Sequence, residues 1–302
     1  MAFRIIRKSM LIRSHLILKL ALITLPLFNV AAVATDSFRH GGLTLYGQIT
    51  QGAIIRGHLD NAQSISVFSK EAFLDENGNF VFGIGRDAPA SIQLDVKWKN
   101  LGQENISVPV TQREYDIQRI DGVDDKYVRE PGPELLKRTQ EEASMVWLAR
   151  QNVRETADFL GGFQWPAKGT ITGVYGSQRV FNGVPKRPHY GLDIAGPVGT
   201  PVYAPAPGKV SLVHNDMYYS GGTLIIDHGQ GISSTFIHLS KIHVKKDQEV
   251  KTGERIGDIG ATGRATGPHL DWRINWFDQR LDPALVLPLK RAANSAAHEA
   301  QE

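Results

Sequence analysis

The chain of 302 residues contains no cysteine. That one absence removes thiol nucleophiles, disulfides and thiolate metal sites together, so any metal must be held through nitrogen and oxygen. Other absences narrow the field further. There is no internal repeat and no glycine-rich phosphate loop, and the nearest approach to a serine nucleophile elbow, Tyr175-Gly176-Ser177, lacks the second glycine. The apolar run from Leu20 to Ala34 has 15 residues and contains Pro26, short of the roughly 20 that a membrane-spanning helix needs.

A strong excess of charge of one sign is also missing. The 34 basic and 31 acidic side chains give a formal net charge of +3. Five of the basic ones, Arg4, Arg7, Lys8, Arg13 and Lys19, lead into the apolar run, which ends in the small-residue pattern Ala32-Val33-Ala34. That is the layout of a secretory signal peptide. Taking away these five basic residues and no acidic one leaves 29 against 31, so the basic balance belongs to targeting and gives no reason to expect nucleic acid as a partner. Cleavage after Ala34 is the expectation; an uncleaved anchor is the competing reading. With neither a lipid-attachment cysteine nor wall-anchoring repeats, the chain reads as exported to a Gram-negative periplasm.

What is present predicts a mainly β protein. A 41% hydrophobic composition is enough for a sizeable core and predicts two domains. Residues 35–129 read as short strands (LTLYGQIT, AIIRGHL, SISVFS, NFVFGIG, SIQLDVKW) with a turn at DENGN, 75–79, which predicts a small β-sandwich or barrel. Nothing in it suggests chemistry; His58 is isolated, and the region reads as a binding or spacer module. Residues 130–162 change character: Pro131 and Pro133 precede strong helix formers, and Gly161 and Gly162 end the run. They predict a long linking helix with Leu135, Leu136, Val146 and Leu148 as its buried stripe. From 163 to 289 the text returns to Gly- and Pro-rich strands, predicting an antiparallel β domain, and 290–302 reads as a flexible tail.

The residues that can carry chemistry lie in this last domain. His189 and Asp193 are four apart in RPHYGLDIAG, so they share a side in strand or helix alike. His238 follows Phe236 at strand spacing in SSTFIHLSKI, and His269 and Asp271 share a parity in HLDWRINW. The other parity of that last strand, Leu270, Trp272, Ile274 and Trp276, is its core side. An imidazole with two carboxylates is a donor set that zinc accepts, and three protein ligands with an open position mark a catalytic rather than a structural site. Two further histidines nearby could accept or relay a proton.

Three blocks, PHYGLDIAGPVGTPVYAPAPGKV, GGTLIIDHGQGISSTFIHLSKI and VKTGERIGDIGATGRATGPHLDWRI, together resemble the lysostaphin or LytM-type zinc metallopeptidases over about residues 163–286. The resemblance implies a β-rich endopeptidase with one zinc ion, cutting peptide bonds in the stems or cross-links of peptidoglycan. It implies His189 and Asp193 as metal ligands, and His238 and His269 as the catalytic histidines flanking the metal-bound water. Where the family's His-x-His motif has a second, ligating histidine, this chain has Asp271. Two carboxylates would formally neutralise the dication, which implies a weaker Lewis acid and more tolerance of harder metals.

The bland reading of Asp271 is an exposed ion pair with Arg273, worth about 0 to 1 kcal/mol. Of the remaining histidines, His214, His228 and His243 have no partner at ligand spacing, and His15, His40 and His298 are terminal. Beside the endopeptidase stand two alternatives. One is a degenerate member that binds peptidoglycan or regulates a cell-wall hydrolase, with the first domain as the surface for an envelope partner. The other is a carrier module, because IHVKKDQEVKTGERIG resembles lipoyl and biotinyl domains; Lys241, Lys245 and Lys246 do not sit in a hairpin-tip context, and a carrier has no use for the histidines.

Overall fold

A computed structural model of the chain describes residues 36–122, 132–151 and 154–287. The expected signal peptide, 1–34, and the expected tail, 290–302, lie outside the described residues. None of the described helices is long and apolar enough to cross a membrane. The architecture is mainly β, with antiparallel pairing in every large sheet.

The first region is built from two four-stranded antiparallel sheets. One runs Asp36–His40, Leu43–Tyr46, Ile54–Leu59, Asn79–Gly83; the other runs Lys70–Ala72, Ala62–Val67, Ser91–Trp98, Gly102–Pro109. Alternation in the sequence becomes alternation in burial: Ile92, Leu94, Val96 and Trp98 turn inward while Gln93 and Lys97 stay exposed. Leu43, Leu45, Ile55, Ile65, Phe80 and Phe82 complete a core continuous with that of the second region.

The second region centres on one large sheet. Its strands lie in the order Thr170–Gly173, Leu192–Ala195, His269–Trp276, Ile232–Ile242, Gly221–Gly229, Gly208–Met217, Glu249–Val250. Leu270, Trp272, Ile274 and Trp276 are wholly buried, as the parity of HLDWRINW predicts. The opposite parity is less open than that alternation suggests, since Asp271 and Asn275 are buried as well and only His269 and Arg273 remain half-buried.

The single α-helix among the described residues differs from expectation. It spans Pro133–Ala149, with Gly132 as N-cap and Pro133 in its first turn, and so stops well before residue 162. Its last turn tightens where Arg150 turns inward to donate from Nη2 to Thr235 Oγ1 at 2.8 Å. Nor is the expected apolar stripe buried: Leu136 is 40% and Leu148 61% exposed. The helix docks instead through polar groups. Buried Glu142 accepts from Arg138 Nε at 2.8 Å and from the backbone N–H of Tyr218 at 2.9 Å, while Arg138 donates to the Asp216 carbonyl.

The two regions meet closely. The strand Ile117–Ile120 pairs in parallel with Gln178–Phe181. Arg113 and Asp282 form an ion pair at 2.8 Å, and Gly83 lies against Trp276 and Leu281, where a Cβ would stand 2.7 Å from Trp276 Cβ.

Candidate metal centre

Three antiparallel strands bring the candidate residues together. Leu192–Ala195 pairs with His269–Trp276 in a register that sets Asp193 opposite Asp271 and Ala195 opposite His269. Two carboxylates facing each other across a strand pair repel and require a compensating charge. Small residues make the room: a Cβ on Gly173 would meet Asp193 Oδ2 at 2.3 Å, and one on Gly191 would meet Asp271 Oδ1 at 2.0 Å.

His189 enters from the loop before the strand. Its backbone is held on both sides, donating to the Ser177 carbonyl and accepting from Gly176 N–H, each at 2.8 Å. Its Nε2 lies 3.2 Å from Asp193 Oδ1. Both atoms are buried, and neither makes a hydrogen bond. They form an ion pair at that distance without a well-aligned hydrogen bond. Two ligands on a tetrahedral zinc ion at bond lengths near 2.0 Å lie about 3.3 Å apart, so the spacing of this pair fits a shared ion. With Asp271 they form a three-residue group whose ligand atoms all lie within 4.8 Å of one another. Burial pulls the His189 pKa down, but Asp193 and Asp271 outweigh it and hold the imidazole above its ordinary value.

His238 and His269 flank this group with rings 4.8 Å apart. Each spends Nδ1 on a backbone carbonyl, His238 on Thr262 and His269 on Gly267, both at 2.8 Å. A carbonyl only accepts, so Nδ1 carries the proton in the neutral ring and Nε2 is left as a free base. His269 Nε2 lies 3.9 Å from Asp193 Oδ1. Burial lowers the pKa of His238, with the Thr262 bond and Asp271 offsetting part of the effect, so its neutral form is favoured.

The placement of His238 differs from simple parity. Phe236 faces the core opposite Trp272, yet His238 turns to the cleft because the register against Gly221–Gly229 slips between Phe236 and Leu239. The extra residue is a β-bulge, and His238 takes a left-handed φ of 66° to complete it. Thr262, which carries no signal of its own in the sequence, fixes the bulge. Its hydroxyl accepts from Gly222 N–H and donates to the Leu239 carbonyl, both at 2.9 Å, while its own carbonyl receives His238.

The pair between Asp271 and Arg273 is present but is not an exposed one. Asp271 is 3% exposed, and Arg273 Nε contacts both its oxygens, at 3.0 and 3.1 Å, while Nη2 approaches Oδ2 at 2.5 Å. Burial would raise the Asp271 pKa, but the guanidinium holds it well below the usual carboxylate range. Arg273 also changes the charge of the site: its guanidinium offsets one of the two carboxylates, leaving the three groups at a net minus one.

The other histidines are spent elsewhere. His228 is wholly buried, its Nδ1 2.6 Å from the Pro207 carbonyl and its Nε2 2.8 Å from Ser234 Oγ. His243 Nε2 meets Asp258 Oδ2 at 2.9 Å, and His214 Nδ1 accepts from Asp216 N–H.

The first region reaches this site through one glycine. Gly176, at φ 87°, is packed so tightly on Tyr115 that a Cβ would stand 2.0 Å from the ring. Arg86 Nε donates to its carbonyl at 2.9 Å, and its N–H holds His189.

With this geometry in hand, comparisons with known proteins are specific. Residues 187–283 match the model of peptidase family M23. The peptidoglycan DD-endopeptidase ShyA of Vibrio cholerae is 48% identical over 87 residues, 29% of this chain and 20% of its own length. The cell division protein DipM of Caulobacter vibrioides is 35% identical over 134 residues, 42% of this chain and 21% of its own. This chain thus spans about a fifth of the length of these two relatives. The crystal structure of a peptidase M23 chain from Pseudomonas aeruginosa is similar at 30% identity and a TM-score of 0.62, over 80% of this chain and 95% of that one. On that near-complete match, joined to the family match across the histidine-bearing strands, the chain belongs to peptidase family M23.

Proposed function

We propose that the chain is a zinc-dependent endopeptidase that hydrolyses peptide bonds in peptidoglycan stem peptides or cross-links, acting in the cell envelope during wall remodelling. The observation that carries this reading is the convergence of His189 Nε2 and Asp193 Oδ1, buried and 3.2 Å apart, with an Asp271 oxygen in the same group within 4.8 Å. A metal bound there supplies Lewis acidity to a carbonyl and acidifies a water. His189, Asp193 and Asp271 would hold it.

The protein's own groups supply the rest of the chemistry. His238 and His269 each fix the ring by an Nδ1 bond to a carbonyl and leave Nε2 as a base, so one can take the proton of the attacking water and pass it to the leaving amine, while the other, once protonated at Nε2, can donate to the developing oxyanion. The relatives' names, which include a peptidoglycan endopeptidase and a cell division protein, support the substrate class and an envelope location; the periplasm and a cleaved signal peptide fit the basic, apolar amino terminus. A regulator that binds peptidoglycan without cutting it is the second reading, favoured by one observation: both oxygens of Asp271 are already engaged by Arg273.

The test is a digest of defined cross-linked muropeptides by the purified mature chain, followed by mass, with chelator and with zinc restored. Cleavage that chelator abolishes and zinc restores is expected. A zinc-loaded, folded protein that releases no fragment would overturn the enzyme in favour of the regulator.

A further inference from the structure

Resting on the metal-binding reading above, we propose that Arg273 is a built-in competitor for the third ligand, so that zinc enters only by displacing the guanidinium from Asp271. Within the candidate centre one half is ready and one half is taken. His189 Nε2 and Asp193 Oδ1 contact only one another within hydrogen-bond distance, at the spacing of shared ligands. Asp271 is occupied: the fork of Arg273 spans both of its oxygens. Its Oδ2 lies 4.0 Å from the nearer His189 nitrogen, and the ligand atoms of the group spread to as much as 4.8 Å, wider than the roughly 3.3 Å of a closed tetrahedral set.

The surroundings allow the exchange. Gly191 leaves the groove in which the pair lies, since a Cβ there would stand 2.0 Å from Asp271 Oδ1 and 2.9 Å from Arg273 Cγ. The Arg273 side chain is 26% exposed, against 4% for Asp271, so the arginine can swing toward solvent while the carboxylate stays. Nothing changes protonation in this step. One ion pair opens, one coordinate bond forms, and the cation that leaves would otherwise repel the arriving dication. The pair also answers a need of the metal-free fold, where Asp193 and Asp271 oppose each other across the strands and a buried carboxylate without a partner is costly.

Two effects of opposite sign follow from removing the guanidinium. Zinc affinity, measured by competition with a chromogenic chelator, rises by about tenfold or more in Arg273→Gln relative to the wild type, because neither the ion pair nor the repulsion has to be overcome. The metal-free variant melts at a lower temperature than metal-free wild type, so the stabilisation produced by zinc is larger. Arg273→Lys keeps a charge but cannot span both oxygens; it lies between the two in both measurements and decides the matter if the glutamine variant does not fold. Equal or weaker zinc binding by the variants, with wild type binding normally, overturns the competitor role and makes Arg273 a support for the ligand. Failure of wild type and both variants to bind zinc overturns the metal reading itself, and this inference with it.

Discussion

The cleft end of the large sheet and its closed end around His228 use the same residue type to opposite effect. In the cleft, His238 and His269 each spend one ring nitrogen on a carbonyl and keep the other, while His189 Nε2 meets only the Asp193 carboxylate. At the closed end His228 spends both, on Pro207 and Ser234, with the ring edge-on to Phe163. The acid–base behaviour divides the same way. Two carboxylates hold His189 above its ordinary pKa, whereas burial drives His228 down to about 4. A buried imidazole is therefore chemical or structural according to whether its second nitrogen has been used, not according to how buried it is.

The comparison breaks most severely at the ligand itself. Under the proposed function His189→Ala removes one of the metal ligands, and zinc affinity should fall by more than the 10- to 100-fold typical of losing an outer-shell partner, with turnover of cross-linked muropeptides falling to background. Metal analysis of the dialysed variant checks this; a variant retaining wild-type zinc would remove His189 from the ligand set. His238→Ala is the next largest. Under the proposed function its Nε2 serves proton transfer rather than the metal, so kcat should fall by about 10²- to 10⁴-fold while zinc content stays at the wild-type level.

Part of that division is legible in the amino-acid sequence. The spacing of His189 and Asp193 and the parity of His269 and Asp271 are one-dimensional facts, and pairing of the two strands carries them directly into space. The core side of HLDWRINW follows from the same alternation. His238 is different, because parity with Phe236 would send it into the core; only the bulge, held by Thr262 and closed by a left-handed backbone, turns it to the cleft. The burial of the Asp271 and Arg273 pair is hidden for a related reason: two residues on one parity look solvated until neighbouring strands and the loop at Gly191 cover them. The helix misleads in the opposite direction. Its leucines suggest an apolar stripe, but its docking is decided by Glu142 and Arg138, whose partners at 216 and 218 are far away in sequence.

Stability against pH sharpens the comparison further. The folded-state pKa of His228 lies near 4, below the unfolded value of about 6.5, so the unfolded chain takes up a proton between these values that the native state refuses. Its contribution is whole above pH 6.5 and is lost as pH falls toward 4, amounting to about 3 kcal/mol. His189, raised in the metal-free fold, acts with the other sign: its contribution is present below pH 6.5 and lost as pH rises through its folded pKa. Denaturant unfolding of His228→Gln against wild type separates the two. The variant should be less stable at pH 7, and the gap should close as pH drops to 4; a gap independent of pH would mean that His228 is not held neutral. Zinc affinity at pH 7 should be unchanged.

The smallest expected effect asks what keeps His189 in place with its Nε2 beside Asp193. The structural answer is backbone, gripped from the first region: Tyr115 and Arg86 hold Gly176, and Gly176 holds His189. Gly176 and Gly183 provide a matched pair of probes, with φ of 87° and 79°, so an alanine at either meets a similar backbone cost of about 1 kcal/mol. Around Gly183 there is nothing within 4 Å of an added Cβ, while at Gly176 that atom would collide with the Tyr115 ring. Gly183→Ala should therefore lower stability alone, leaving zinc binding as it was. Gly176→Ala should lower stability and also weaken zinc several-fold, since displacing a ligand by a few tenths of an ångström degrades the coordination without removing it. Equal zinc affinities in the two variants would mean that the first region does not position His189, and would leave its placement to be explained by the large sheet alone.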